Sequence, residues 1–279
     1  MNFKTYLTEF QTYKKQTRSV ELSKDQIIKL LKSGDYDTAL KNKTKIYRGV
    51  NLKPDYVVID PTKFTRLSAN TANIYMTLLD TFESWKDYPK RSKSLICSTS
   101  YDTANKYGHL YIVLPKNDAK IGICPKNDIW SSFYRTIDTD LHSFNYTLNE
   151  YILKLIENEF KFKFNQNYGV KLINILKSIR SINKIKDQCY INIKNKQIEL
   201  EKYIMKSMFT DFIDNNKYNN LYDYVETLFD PVKNHFKLIN IKYLDNVVDN
   251  YSSRECWTDS KSLLIYKESY DKLLKDGLI

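Results

Sequence analysis

The sequence is poor in glycine and histidine, and each shortage argues against a class of site. Six glycines and three histidines occur among the 279 residues. Neither of the glycine-rich phosphate loops, GxGxxG or GxxxxGK followed by Ser or Thr, is present. Rossmann and P-loop nucleotide sites are therefore disfavoured, and any nucleotide has to bind in another way.

The four cysteines lie far apart, at Cys97, Cys124, Cys189 and Cys256, with no CxxC pair and no histidine at ligand spacing. This distribution supports neither a zinc site nor a disulfide framework, and we expect no metal. Cys97 and Cys256 adjoin motifs described below, so a catalytic thiol is a second possibility, but no histidine is an obvious partner. Buried, reduced thiols are the preferred interpretation.

Long apolar runs are also missing. No window approaches the about 20 apolar residues of a membrane span, and the opening MNFKTYLTEFQ does not resemble a secretion signal. We therefore expect a soluble cytoplasmic protein with no membrane partner. The charge is positive, with 44 Lys and Arg against 33 Asp and Glu, a formal +11, which favours anionic partners such as nucleic acid, ribosomes or a nucleotide cofactor.

Hydrophobic periodicity predicts one α+β domain with a split mixed β-sheet. Helical spacing of apolar residues at 3–13 and at 27–31 predicts two lead-in helices within residues 1–44, and residues 45–140 and 231–279 are expected to form the two halves of the core. Residues 141–230 have helical stripes and predict a helical insertion. Apolar runs predict strands at 46–50, 56–59, 95–97, 110–114, 121–123, 236–241, 254–258 and 263–266, and a helix is predicted at 71–82.

Three polar signals lie on predicted strands or at their ends. Arg48 stands in the apolar run IYRGV, Ser98 begins Ser-Thr-Ser after LIC, and Glu255 lies in SSRECW. A buried arginine needs a carboxylate or a phosphate, which its planar fork binds through two hydrogen bonds. Solvent exposure of Arg48, helix capping by the hydroxyls and an edge-strand glutamate are the structural alternatives.

The order of these motifs resembles that of ADP-ribosyltransferases of the arginine-serine-glutamate class. The stretch TLLDTFESWKDYPKRSKSLICSTS, with IGICPKNDIW after it, further resembles predicted ADP-ribosyltransferases encoded by bacteriophages. The likeness covers residues 45–129 and 250–265. It implies NAD as the substrate, a host macromolecule as acceptor, and the cytoplasm of an infected bacterium as the setting.

The resemblance also implies roles for single residues. Arg48 holds the NAD phosphates and Gly49 contacts nicotinamide, while Ser98, supported by Thr99, steadies the catalytic Glu255. That carboxylate hydrogen-bonds the ribose and stabilises the oxocarbenium-like charge that develops as the glycosidic bond breaks.

Four further residues complete the predicted site. Ser100 belongs to the cofactor-binding motif, and Tyr107 packs behind the nicotinamide. Tyr251 and Ser253 are candidate acceptor contacts. Enzymes of this class that modify arginine carry Glu or Gln at the position of Ser253, so the acceptor residue stays open. The family's acceptor loop corresponds to residues 245–251.

Two other functions remain open from the sequence. The same constellation can hydrolyse NAD, since water also captures the cation. A non-enzymatic nucleic-acid-binding protein is the alternative from another class. Its basis is residues 85–93, predicted to be an exposed loop that combines basic and aromatic side chains: Trp85, Lys86, Tyr88, Lys90, Arg91 and Lys93.

Overall fold

The computed structural model describes residues 19–66, 73–133, 136–137, 169–180, 182–185, 188–193, 196–200, 218–248 and 253–279. The chain divides into two compact units. The first draws on Met1–Thr71, Lys86–Ser132 and His235–Ile279, and the second on Ala72–Trp85 and Phe133–Asn234. The combination of sheet and helices confirms the predicted α+β class.

The first unit contains a sheet of nine strands in the order β1-β3-β12-β5-β2-β4-β11-β6-β10. Its strands are β1 (Val20–Glu21), β2 (Ile46–Val50), β3 (Tyr56–Ile59), β4 (Leu95–Ser98), β5 (His109–Pro115), β6 (Lys120–Ile123), β10 (Lys237–Asn240), β11 (Glu255–Thr258) and β12 (Ser262–Tyr266). All the strands predicted from the apolar runs are present, with ends that shift by one residue at most sites. Continuous apolar runs such as that of β5 suit strands whose side chains are buried.

The prediction of a mixed sheet is wrong, because each pairing recorded in the described part of the sheet is antiparallel. The predicted split is present in the chain order, since strands from both sides of residues 141–230 join in one sheet. One joint in it is nevertheless weak, because β2 pairs with β4 only through Tyr47 and Ser98.

The described part of the first unit contains helices α1 (Lys24–Leu31), α2 (Asp37–Lys41), α4 (Tyr101–Asn105), α7 (Leu244–Val247) and α8 (Lys267–Lys275). Helix α1 begins at a capping box, in which Ser23 and Gln26 exchange side-chain to backbone hydrogen bonds. This helix confirms the second predicted lead-in helix. The first, predicted from residues 3–13, lies outside the described residues. Fully buried aliphatic side chains of α1, β3, β5 and β12 form the core.

The second unit contains helices α3 (Asn73–Thr81), α5 (Gly169–Ser178) and α6 (Leu221–Leu228). It also contains a three-stranded antiparallel sheet of β7 (Ile182–Ile185), β8 (Gln188–Ile193) and β9 (Lys196–Leu200). The prediction that residues 141–230 are a helical insertion is therefore wrong for residues 182–200. Alternation of polar and apolar residues in β8, QCYINI, is the strand signal there.

Short 3-10 helices connect these elements at Pro61–Lys63, Glu83–Trp85, Arg91–Lys93, Trp130–Phe133 and Ile241–Tyr243. No helix in the described ranges is long and apolar enough to cross a membrane.

Candidate active site on three neighbouring strands

The three residues predicted to carry the chemistry lie on three neighbouring strands. The sheet order places β2, β4 and β11 side by side, with Arg48 on the first, Ser98 on the second and Glu255 on the third. Ser98 stands opposite Tyr47 on one side and opposite Glu255 on the other. Residues that are distant in sequence are thus brought to one region of the sheet.

The two joints of β4 differ. Four consecutive residue pairs, from Ser98 with Glu255 to Leu95 with Thr258, join β4 to β11, and we call this joint the closed seam. On the other side, the pair of Tyr47 with Ser98 is the single ladder contact between β4 and β2, and we call this joint the open seam.

The side chain of Arg48 lies in the open seam. Beyond Tyr47 the two strands no longer pair, and Arg48 Nη1 donates a hydrogen bond to the carbonyl oxygen of Ile96 on β4. The guanidinium therefore donates to a backbone carbonyl that would have accepted from β2 if the ladder had continued. The structure excludes the interpretation that Arg48 simply points into solvent, because its side chain is half-buried.

Gly49 is needed for packing within the protein. A methyl group on its Cα would come within 1.8 Å of the carbonyl oxygen of Ala104 in α4. The backbone of α4 therefore occupies the space that a side chain at position 49 would need, and the contact of Gly49 with nicotinamide stays a prediction. Tyr107, predicted to pack behind nicotinamide, follows α4 and is 52% exposed.

The three hydroxyls at the end of β4 have separate partners. Ser98 Oγ accepts a hydrogen bond from the amide of Ser100 at 3.0 Å, so it fixes the turn after the strand. Ser100 Oγ caps α4 by accepting from the amide of Thr103 at 3.3 Å. Thr99 Oγ1 accepts from the amide of Arg254 at 3.1 Å, which extends the closed seam to the residue before Glu255. The contact of Ser98 with Glu255 is therefore one of strand register.

The carboxylate of Glu255 is held in an ion pair that the sequence did not predict. Its Oε1 lies 2.7 Å from Nη2 of Arg91, and the side chains are 13% and 4% exposed, respectively. The amide of Ile129 donates to Oε2 at 3.3 Å. Glu255 is thus an inward-facing, partnered carboxylate, not an edge-strand glutamate in solvent.

The prediction that residues 85–93 form an exposed loop is wrong. Trp85 and Arg91 are buried, although Lys86 and Lys90 are exposed. Arg91 lies over the ring of Trp257, with Cζ 4.9 Å from the ring centroid, and the indole N–H of Trp257 donates to the carbonyl of Pro89 at 2.8 Å. Two of the six side chains proposed to contact nucleic acid, Trp85 and Arg91, are therefore not available at the surface.

Arg91 and Trp257 are the functional candidates that sequence reasoning missed. The one available signal was compositional, because Trp85, Tyr88 and Pro89 are unusual in a solvated basic loop. Tyr88 stacks on Trp257 with ring centroids 6.0 Å apart.

The thiols near Glu255 are buried and unreactive in character. Burial raises the pKa of Cys97 to about 12, and it raises the pKa values of Cys124 and Cys256 well above the ordinary range. A nucleophilic cysteine needs a lowered pKa, so a catalytic role for Cys97 or Cys256 is not supported.

The predicted acceptor contacts have structural partners or lie outside the described residues. The hydroxyl of Ser253 is 2.8 Å from that of Thr103, which links it to α4. Asp245, in the segment likened to the acceptor loop, accepts from the amides of Lys43 and Thr44 at the entrance to β2. Tyr251 lies outside the described residues.

Across the part of the chain that the structure describes, no group of three or more His, Cys, Asp and Glu residues has an arrangement that could hold a metal ion. Comparison of the chain with protein-family models, with curated proteins and with solved structures found no match. The residues and their geometry are therefore the basis for assigning a function.

Proposed function

We propose that the protein is an ADP-ribosyltransferase that cleaves NAD, releases nicotinamide and transfers ADP-ribose to a host macromolecule. One observation carries the proposal: Arg48, Ser98 and Glu255 lie on neighbouring strands, and the sheet is almost parted between the first two. An arginine at the joint where the ladder is interrupted offers an anionic ligand a positive charge.

Arg48 is suited to bind the pyrophosphate. Its Nη1 donates to a neutral carbonyl oxygen, and a charged phosphate oxygen accepts a stronger hydrogen bond from a guanidinium. A phosphate beside Arg48 would therefore replace this hydrogen bond with a stronger one.

Glu255 is suited to act on the nicotinamide ribose. In NAD the bond from the ribose anomeric carbon to the pyridinium nitrogen breaks, and its electron pair neutralises that nitrogen as nicotinamide leaves. The positive charge moves to the ribosyl group, which resembles an oxocarbenium ion. A fixed carboxylate stabilises this charge and accepts a hydrogen bond from the ribose hydroxyl. The acceptor then bonds to the anomeric carbon and loses a proton.

The acceptor is a host protein or a nucleic acid, and both fit the net charge of +11. Water as acceptor makes the protein an NAD glycohydrolase. No contact in the described residues favours this second reaction, and the experiment below separates the two.

Nicotinamide release from NAD tests the proposal, measured with and without bacterial lysate for wild type, Glu255→Gln and Arg48→Met. We expect Glu255→Gln to lower release by about 100-fold or more, as loss of a transition-state electrostatic contact typically does. Arg48→Met should raise KM for NAD, because it removes a charge-assisted contact. Glu21→Gln, an exposed glutamate on strand β1, is the matched control and should equal wild type.

Stimulation by lysate, with label from NAD appearing on a macromolecule, supports transfer. Release that is indifferent to lysate identifies a glycohydrolase. Absence of release from folded wild-type protein in both conditions, or release that persists in Glu255→Gln, overturns the assignment of Glu255.

A further inference from the structure

The partner of Glu255 is a buried arginine from a distant part of the chain. Arg91 lies in the 3-10 helix that precedes β4, and its side chain is 4% exposed. Its Nη2 meets Glu255 Oε1 at 2.7 Å, and its Nη1 is buried without a hydrogen-bond partner. A buried cation with a hydrogen-bond donor that has no acceptor is unfavourable.

Stability alone is a poor explanation for this ion pair. Removing two charges from water costs about as much as their attraction returns, so apolar residues of similar volume are often equally stabilising. A pair of this kind is better explained by what it does to the orientation of its members.

The surroundings of Arg91 restrict its guanidinium in two ways. The group lies over the ring of Trp257, which is fully buried and two residues after Glu255 on the same strand. The indole N–H of Trp257 in turn binds the carbonyl of Pro89, two residues before Arg91. The segment that contains Pro89 and Arg91 is therefore joined to strand β11 by the hydrogen bond from Trp257 as well as by the ion pair with Glu255.

We propose that Arg91 is a positioning residue for Glu255, an inference that rests on the proposed function. Arg91 pairs with Oε1, which is buried and accepts no hydrogen bond, and Oε2 has a long contact of 3.3 Å with the amide of Ile129. Because Oε1 is buried and Oε2 can accept a second hydrogen bond, Oε2 is the oxygen that takes the ribose hydroxyl. The positive charge of Arg91 opposes stabilisation of the ribosyl cation, so its contribution is to geometry.

The kinetic test compares nicotinamide release by Arg91→Met, Arg91→Lys and the exposed control Lys90→Met, each checked for folding by circular dichroism. We expect Arg91→Met to lower kcat by about 10- to 100-fold, since small displacements of a catalytic group have effects of this size. KM for NAD should stay within about threefold, because phosphate binding is assigned to Arg48. Arg91→Lys should recover part of kcat, and Lys90→Met should equal wild type.

A second measurement tests the pairing without relying on activity. Arg91→Met leaves Glu255 buried without its cation, so the midpoint of urea unfolding should fall. Adding Glu255→Gln to Arg91→Met should return much of the loss. If Arg91→Met does not fold, Arg91→Lys carries the kinetic test, with a reduced kcat at unchanged KM expected.

The outcomes separate the two proposals. Active wild type with kcat unchanged in folded Arg91→Met overturns the positioning role and leaves the transferase proposal standing. A rise in KM that accounts for the whole loss also overturns it. Inactive wild type overturns the proposed function, and the positioning role falls with it, whatever the unfolding measurements give.

Discussion

The two sides of strand β4 differ in how they are held. The closed seam to β11 has four ladder pairs and continues through the two hydrogen bonds between Thr99 and Arg254. The open seam to β2 has one ladder pair and the hydrogen bond from Arg48 to Ile96. Strand β4 is thus paired along its length with β11 and at one position with β2.

Under the proposed function, this difference suits a site that has to bind a ligand and also orient a catalytic group. The closed seam fixes the backbone of Glu255, whose amide and carbonyl also bond to Lys126 and Cys124. The open seam leaves polar groups of β2 and β4 to side chains or a ligand. In the proposed enzyme, orientation of Glu255 and binding of the ligand by Arg48 are therefore assigned to the two sides of β4.

The largest loss of stability should come from disrupting the packing of β2 against α4, in the part of β2 that does not pair with β4. Gly49 lies against the Ala104 carbonyl, and a methyl group there would come within 1.8 Å of that oxygen. Gly49→Ala should therefore lower the free energy of unfolding by about 3 kcal/mol, the upper part of the usual range for overpacking. Urea unfolding followed by tryptophan fluorescence measures this.

Gly34→Ala is the matched control for Gly49. A methyl group at Gly34 meets nothing within 4 Å, but the residue has a φ of +83°, so a smaller loss of about 1 kcal/mol is expected from backbone strain. Equal losses in the two variants would show that helix α4 does not brace β2.

The two arginines of the site show which part of it could be predicted. Arg48 interrupts an apolar strand, and this contrast makes it visible in the sequence. Arg91 lies among Lys86, Lys90 and Lys93, and the aromatic residues and proline nearby do not tell which of the four cations is buried. Its burial depends on Trp257, which is 166 positions away in the chain.

The fold, like the site, could be predicted only in part from the sequence. Apolar runs identified the strands of the large sheet because burial needs continuous apolar segments. Strand order and the antiparallel pairing were not predictable, since they depend on long-range register. Strands β7 to β9 were missed because a short, half-polar strand such as β8 resembles an irregular helix stripe.

The stability of the folded protein should also fall at high pH, because a buried thiol lies in the closed seam. Cys97 faces Cys256 across it, and burial raises the pKa of Cys97 to about 12. An unfolded thiol loses its proton near about pH 8.5, so above that pH the folded state binds more protons and its stability falls. The loss should approach about 1.4 kcal/mol for each pH unit and for each such thiol.

The measurement compares wild type with Cys97→Ala by urea unfolding at pH 7.5 and 9.5. The variant is expected to be less stable at both values, but its decline between them should be smaller by about 1 kcal/mol. Parallel declines would mean that the Cys97 thiol ionises as readily in the folded protein as in the unfolded chain, and hence that the seam is not closed around it.

The smallest effect is expected at Ser98, the residue shared by both seams. Its hydroxyl accepts from the amide of Ser100, so Ser98→Ala should lower the free energy of unfolding by about 1 kcal/mol, the usual net contribution of one hydrogen bond. Ser84→Ala is the control, because its buried hydroxyl oxygen makes no hydrogen bond and its loss should not lower stability.

The strand register that places Glu255 involves only the backbone of Ser98, so nicotinamide release by Ser98→Ala should fall much less than that by Glu255→Gln. A loss as large as that of Glu255→Gln would mean that the hydroxyl turns to the carboxylate when NAD binds, and that the open seam rearranges around its ligand.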